Sequence, residues 1–183
     1  MRELALHILD LVQNSIAAKA SLIRISILES VADNILRIEV GDNGAGIESQ
    51  RLSRVTDPFY TSRAGRKTGL GLSLFQAAAE RTGGGLRVES SPGQGTTVQA
   101  TFRLDHIDRA PLGRLADVTA VLMICNPEVE FRVEWLRGTE KIALDTCELQ
   151  RRFSRPDPID VGTNLRLYRY LAGIFGEEPG LTG

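Results

Sequence analysis

Apolar residues return near the helical period over residues 3–19. Leu4, Ile8, Leu11, Val12 and Ile16 share one face, which predicts a helix. His7, Asp10 and Asn14, spaced by three and four, share a second face. Such a polar stripe is either the solvated side of the helix or a side that meets a ligand. Ala17 and Ala18 continue it, and small residues leave room where Lys or Glu would be the usual solvent choice. The pattern then changes to alternation. LIRISIL (22–28) and ILRIEV (35–40), joined by a short polar turn, predict an antiparallel pair. Ile23, Ile25 and Ile27 would form its buried face together with Leu36, Ile38 and Val40.

A short helix is expected over 48–54. A loop follows over 55–68, where Pro58, Gly65 and several basic residues break any apolar period. The next helix, 69–81, is stopped by the triple glycine 83–85. Strands over 86–90 and 97–104, with SPGQG between them, read as a hairpin. Residues 1–105 thus run α-β-β-α-loop-α-β-β, an α+β chain. Its three helices can cover one face of a mixed sheet in a two-layer sandwich.

Residues 106–113 have the polar, proline-containing composition of a connector. VTAVLMIC (118–125) is open between strand and helix, and its β-branched content favours the strand. Stretches 131–137 and 141–146 flank GTE as a hairpin, and 165–175 reads as an amphipathic helix. Residues 106–183 therefore read as a small α+β tail, a partner-recognition unit with no catalytic constellation of its own.

Composition narrows the function classes. Of 183 residues, 42% are hydrophobic and 25% charged, ordinary for a soluble globular protein. A net charge of −1 gives no global pull toward nucleic acid or acidic membranes, so any anion site must be local. No apolar run reaches the roughly 18 residues of a membrane span. The first residues are interrupted by His7 and Asp10 and lack a small-residue cleavage site, so a cytoplasmic location is expected. Cys125 and Cys147 belong to no CxxC pair and read as two buried free thiols.

The candidate chemistry lies between Val40 and Leu74. In DNGAGI, Asp42 stands where a strand has just ended, and Asp-Asn-Gly is also a common turn signal. Gly44 and Gly46 would let the backbone approach a flat ligand. A carboxylate held there can accept from an exocyclic amino group such as adenine's. Guanine lacks that donor, and leaving the carboxylate unpaired would cost roughly 2–5 kcal/mol. In GLGL, Gly69 and Gly71 open a helix whose N–H groups attract phosphate, or pack it closely on a strand. Arg63, Arg66 and Lys67 just upstream shift the balance toward phosphate. No Walker GxxxxGK[ST] occurs. Magnesium on a triphosphate keeps several waters, so one amide oxygen from Asn14 would suffice. Asp10, one turn earlier, could orient or deprotonate an attacking water or hydroxyl.

In order and spacing these pieces resemble the GHKL superfamily of ATP-binding domains. DNA gyrase, the large heat-shock chaperone, sensor histidine kinases and the MutL repair protein share it. LHILDLVQNSIAAKA is similar to its N box, which implies Asn14 as the magnesium residue. DNGAGI is similar to the G1 box, which implies Asp42 on adenine beside Gly44, Gly46 and Ile47. DPFYTS resembles the F box. GLGL resembles the G2 box, implying Gly69, Leu70, Gly71 and Leu72 on the phosphates, with Arg63 and Lys67 nearby. SPGQGTT resembles the last glycine box, whose threonine, here Thr96, backs the adenine aspartate. The resemblance covers residues 1–105 and implies the Bergerat ATP-binding fold, ATP and Mg2+ as ligands, and a lid over 61–68.

Two departures qualify it. ATP-hydrolysing members carry glutamate where this chain has Asp10, one methylene shorter. Phospho-accepting histidines sit on a separate hairpin before an acidic residue, whereas His7 is followed by Ile8 and reads as packed or solvated near the site. ATFRLDHIDRAPLGRLAD and NPEVEF resemble small ATP-binding proteins encoded beside iron-hydrogenase and NADH-oxidoreductase subunits in anaerobic bacteria. That implies a regulatory or assembly role near an electron-transfer complex, although no residue here shows iron–sulfur ligation. The expectation is an ATP-dependent regulator, an ATPase or protein kinase acting on a protein partner such as a hydrogenase complex or a signalling protein. A non-catalytic ATP sensor is the alternative. A histidine kinase catalytic domain that receives its histidine from elsewhere is a third reading, and a homodimer is left open.

Overall fold

The computed structural model describes residues 3–57, 70–153 and 160–178. The first helical stretch is α1 (Leu4–Ala17), and the alternating stretches are β1 (Leu22–Ser30) and β2 (Ile35–Asp42). Their antiparallel register sets Ile25 opposite Val40 and Ile27 opposite Ile38. Ile23, Ile25, Ile27, Leu36, Ile38 and Val40 are all buried, as the alternation predicts. Each contributes about 1.5–3 kcal/mol by leaving water. α2 (Ser49–Leu52), α3 (Leu70–Arg81), β3 (Gly85–Ser91) and β4 (Gly95–Arg103) follow in the expected order. β4 runs antiparallel to β2 and puts Thr96 opposite Asp42.

The rest of the chain forms α4 (Leu115–Cys125), β5 (Glu130–Arg137), β6 (Glu140–Asp145), α5 (Thr146–Phe153) and α6 (Val161–Phe175). β5 and β6 make the expected hairpin. They also continue the sheet of the first 105 residues, because β5 lies parallel to β1 with Val133 beside Ile25. The result is one six-stranded mixed sheet in the order β3-β4-β2-β1-β5-β6. One face is covered by helices and buries Val98, Ala100, Phe102, Phe131 and Val133 with the residues above. The other face carries exposed residues such as Arg24, Ser26 and Arg37. This is the two-layer α+β sandwich.

Three details differ from expectation. Residues 118–125 belong to helix α4 and not to a strand. This segment is apolar nearly all round, so it carries no helical period in the sequence. It is nevertheless a helix because it is buried on most sides, with α1 and α6 against it. Cys125 and Cys147 are free, as expected, but exposed. Cys125 ends α4 and Cys147 sits in the first turn of α5, each on the side turned away from the core. Finally, α5 is not expected from the sequence: its inward stripe of Thr146, Leu149 and Phe153 has helical spacing, but only two of those residues are strongly apolar. Its start is held to β5 by Thr146, whose Oγ accepts from Phe131 N at 2.6 Å and lies 2.8 Å from Phe131 O.

The connector after β4 does structural work at α1. Leu4 N donates to Pro111 O at 3.0 Å and Ala5 N to Leu112 O at 2.8 Å, satisfying amides that a helix start leaves open. At the start of α4, the Glu177 carboxylate accepts from Leu115 N at 2.8 Å and Ala116 N at 3.3 Å. Burial holds that carboxyl above its usual range. Among the described residues no helix is long and apolar enough to cross a membrane.

Candidate nucleotide site

The site grows from the end of β2. Asp42 is the last residue of that strand, and the chain then turns back over the start of β1. Asn43 pins the turn there: its Oδ1 accepts from Ser21 N and Leu22 N, both at 2.9 Å. Asn43 Nδ2 donates to Ser21 Oγ at 3.0 Å. Ala45 N then donates to Ala18 O at 2.9 Å, which ties the turn to the end of α1. Ile47 N donates to Ser90 Oγ at 2.8 Å, and that hydroxyl in turn donates to Gly95 O at 2.8 Å. The turn is therefore bolted to α1 on one side and to the β3–β4 hairpin on the other.

Two glycines in this region answer to backbone packing. Gly46 has φ +69°, and a Cβ there would lie 2.0 Å from Ser91 O. Gly95 has φ +85°, and a Cβ there would lie 1.9 Å from Asp42 O. On the side where a Cβ would stand, Gly46 is filled by the neighbouring hairpin. Gly44 instead contributes its amide, donating to Asp42 Oδ1 at 2.8 Å.

Asp42 is half-buried and held by three donors. Its Oδ1 accepts from Gly44 N and, at 3.3 Å, from Thr96 N. Its Oδ2 accepts from Ser15 Oγ at 2.6 Å. Thr96 thus stands behind the aspartate through its backbone, while its hydroxyl lies 2.9 Å from Ser90 Oγ. Ser15 and Ser90 were not singled out from the sequence. A signal for Ser15 exists, because a hydroxyl falls on the face of α1 that the helical period reserves for apolar residues. Ser90 has no such signal.

α1 also supplies the opposite wall. Asp10 is half-buried, and a Cβ built on Gly71 would stand 3.5 Å from its Cβ and Oδ2. One turn back along α1 and one turn forward along α3, His7 stacks on Phe75 with ring centroids 4.9 Å apart and planes at 24°. The two helices therefore run antiparallel, and Asp10 lies beside the amide-rich start of α3. Asn14 is exposed on the same helix, one turn beyond Asp10. His7 is packed: it is 3% exposed, its Nδ1 has no partner among the described residues, and burial lowers its pKa to about 4. Leu72 is half-buried against the core. Leu70 begins α3, while Arg63, Lys67, Gly69 and the expected lid over 61–68 lie outside the described residues.

Elsewhere, Glu130, Asp145 and Cys147 bring possible ligand atoms within 4.8 Å of one another. Arg132 is ion-paired to both carboxylates, at 2.6 Å and 3.2 Å, so one of the cluster's two negative charges is already balanced by a cation of the protein.

An acidic strand end clasped by a glycine turn, a hairpin and the last turn of α1, with α3 beginning beside Asp10 of the same helix, is the arrangement expected of an ATPase-type α/β sandwich. Comparison with known proteins agrees. The family described as histidine kinase-, DNA gyrase B-, and HSP90-like ATPase matches residues 2–106, and the chain belongs to it. A putative sensor protein of Shewanella frigidimarina is 32% identical over 103 residues, 55% of this chain and 16% of that one. Sensor histidine kinase YxdK of Bacillus subtilis is 42% identical over 69 residues, 36% of this chain and 21% of that one. The chain thus spans a minor part of these curated relatives. Among solved structures, the Aquifex aeolicus MutL ATPase domain complexed with ADP superposes with a TM-score of 0.52 at 19% identity. It covers 85% of this chain and 70% of that one. The N-terminal domain of a DNA repair protein gives 0.58, also at 19% identity, over 89% and 58% of the two chains. At that identity the likeness is one of fold.

Proposed function

We propose that this chain binds ATP with magnesium and acts as an ATP-dependent regulator of a protein partner, by hydrolysis or by phosphoryl transfer. The observation that carries the reading is the Asp42 carboxylate. Three donors fix its orientation and leave an acceptor position on Oδ2 for an exocyclic amino group. The phosphates would then lie toward the start of α3, at Leu70, Gly71 and Leu72, because the N–H groups of a helix start favour anions. Arg63, Lys67 and Gly69 would complete that end.

The residues present fit a magnesium ion: Asn14 is exposed on the helix that walls the phosphate end, and an amide oxygen is a suitable hard ligand. When bound, the ion would neutralise triphosphate charge. Asp10 beside Gly71 stands where a carboxylate can take the proton of an attacking water or hydroxyl. The terminal P–O bond of ATP would break, and a new one would form to that oxygen. An ATP ligand is consistent with the cytoplasm.

A second reading, a non-catalytic ATP sensor, is favoured by one observation. The connector and α4 bear directly on α1, so a change at the nucleotide end of α1 reaches residues 106–183, the proposed partner-recognition part.

Titration calorimetry with ATP and GTP, with and without magnesium, tests binding. Turnover and partner phosphorylation, repeated with Asp10→Asn, separate the readings. Hydrolysis undiminished in that variant removes Asp10 from the mechanism. Tight ATP binding without turnover or transfer leaves the sensor.

A further inference from the structure

We infer that the outer edge of β6 is a self-association surface, on which a second copy of this chain pairs antiparallel and joins the two sheets into one. β6 ends the sheet on one side, and among the described residues no strand lies beyond it. β3, at the opposite end, already has α2 and the Ile47 turn against it. β5 decides which backbone groups β6 shows. Glu130 N and Gly138 N, at the two ends of β5, donate toward β1, to Ser21 O at 2.9 Å and Glu29 O at 3.4 Å. Amides alternate in direction along a strand, so Phe131, Val133 and Trp135 turn theirs to β6. Val133 lies opposite Leu144 and Trp135 opposite Ile142, which spends the backbone of Ile142 and Leu144 on the hairpin. Thr146 agrees, since its hydroxyl takes up Phe131 N and O, the next pair in that series. The backbone groups of Lys141, Ala143 and Asp145 therefore point outward.

The side chains fit a second copy. KIALD (141–145) is symmetric in chemistry about Ala143: cation, apolar, small, apolar, anion. In an antiparallel pairing centred there, Ala143 meets its own copy and Lys141 lies opposite the partner's Asp145, on both sides of the two-fold axis. Each of these pairs exchanges two backbone hydrogen bonds. Ala143 is exposed and small, so nothing holds the strands apart. Ile142, half-buried, meets the partner's Leu144 on the helix side. An edge lysine ordinarily deters pairing. Here the copy supplies the anion that receives it. Within the chain Asp145 is paired to Arg132 at 3.2 Å and Lys141 to Glu134 at 3.4 Å. Signs therefore alternate across the joint, from Arg132 and Asp145 to the partner's Lys141 and the partner's Glu134. Sliding the strands by two residues separates Lys141 from the partner's Asp145. Sliding them by four sets Lys141 or Asp145 against its own copy, so charge fixes the register.

The joint lies wholly in residues 106–183 and leaves β2 and the Asp42 site of each copy untouched. It stands or falls independently of ATP.

Sedimentation of the full chain, at concentrations rising to about 1 mM, reads the association. The wild type should show a monomer–dimer equilibrium. Ala143→Pro removes an outward amide and no bond of the hairpin, so it should keep its Tm and lose the dimer. Lys141→Glu should weaken dimerisation by about tenfold or more, because it sets two carboxylates opposite each other twice. Asp145→Lys should do the same, at a lower Tm, since it gives up the Arg132 pair and the bond to Cys147 N. Mixing the Lys141→Glu and Asp145→Lys chains should restore a dimer, now mixed, in which both charge pairs are opposite in sign. Should either Ala143→Pro or Asp145→Lys fail to fold, Lys141→Glu still decides. A wild type that stays monomeric throughout overturns the inference. So does a dimer that Lys141→Glu leaves at wild-type strength.

Discussion

Asp10 and Gly71 face each other across the α1–α3 interface, with 3.5 Å between Asp10 and the position a Gly71 Cβ would take. That distance is ordinary van der Waals contact, so one methyl fits and a longer side chain does not. Gly71→Ala should fold with a Tm equal to or above that of the wild type, gaining at most about 1 kcal/mol from helix propensity. Gly71→Leu should push Asp10 aside and reduce whatever ATP turnover the chain has. Thermal melts and a phosphate-release assay check both. A large loss of stability in the alanine variant would show that the two helices sit closer than described.

The turn at Gly46 predicts a sharper effect. Gly46→Ala combines a positive φ with a collision against Ser91 O, and should cost more than about 2 kcal/mol of stability. Gly93 provides the control, since its φ is +74° but nothing lies within 4 Å of a Cβ there. Gly93→Ala should cost only the backbone term, about 1 kcal/mol. Urea unfolding of the two variants separates collision from strain.

His7 predicts acid sensitivity. Its pKa is lowered from 6.5 to about 4 by burial, so the unfolded chain binds this proton more readily than the folded one. The penalty is absent above pH 6.5, grows as pH falls from 6.5 toward 4, and is constant below that. His7→Leu should remove this part of the decline, giving a shallower fall of Tm between pH 6.5 and 4. Parallel slopes for the two proteins would show that His7 is not the group responsible.

Asp42→Asn tests the base contact directly. Asparagine keeps an oxygen for Gly44 N and a donor for Ser15 Oγ, so Tm should stay close to the wild-type value. It presents an amide N–H to the base, and ATP affinity should fall by about thirtyfold or more. Unchanged affinity would place the base elsewhere.

Much of this is legible in the sequence itself. The alternation in LIRISIL and ILRIEV carries the register of β1 and β2 because only one face of that pair is buried. The stripe of Asp10 and Asn14 is legible for the same reason in helical form. What could not be read has physical causes. α4 is buried on most sides, which erases the period that distinguishes helix from strand. α5 is short and mostly polar. Ser15 meets Asp42 across 27 residues, a contact that no local spacing encodes. Nor does any local pattern say that β5 will lie parallel to β1, since a crossover pairing is decided by where α4 finds a surface to cover.

The contacts of Pro111 and Leu112 with α1 bear on where this molecule can be cut. Similarity to the ATPase family ends at residue 106, but cooperative folding need not end there. Cleavage at that point would strip two acceptors from the helix that carries Asp10 and Asn14. It would bare the surface that α4 covers and turn β1, an interior strand, into an open edge. A fragment trimmed to the similarity boundary would thus be prone to pair through β1 with its own copies. Before it meets any other protein, the tail is the partner of the nucleotide-binding half itself.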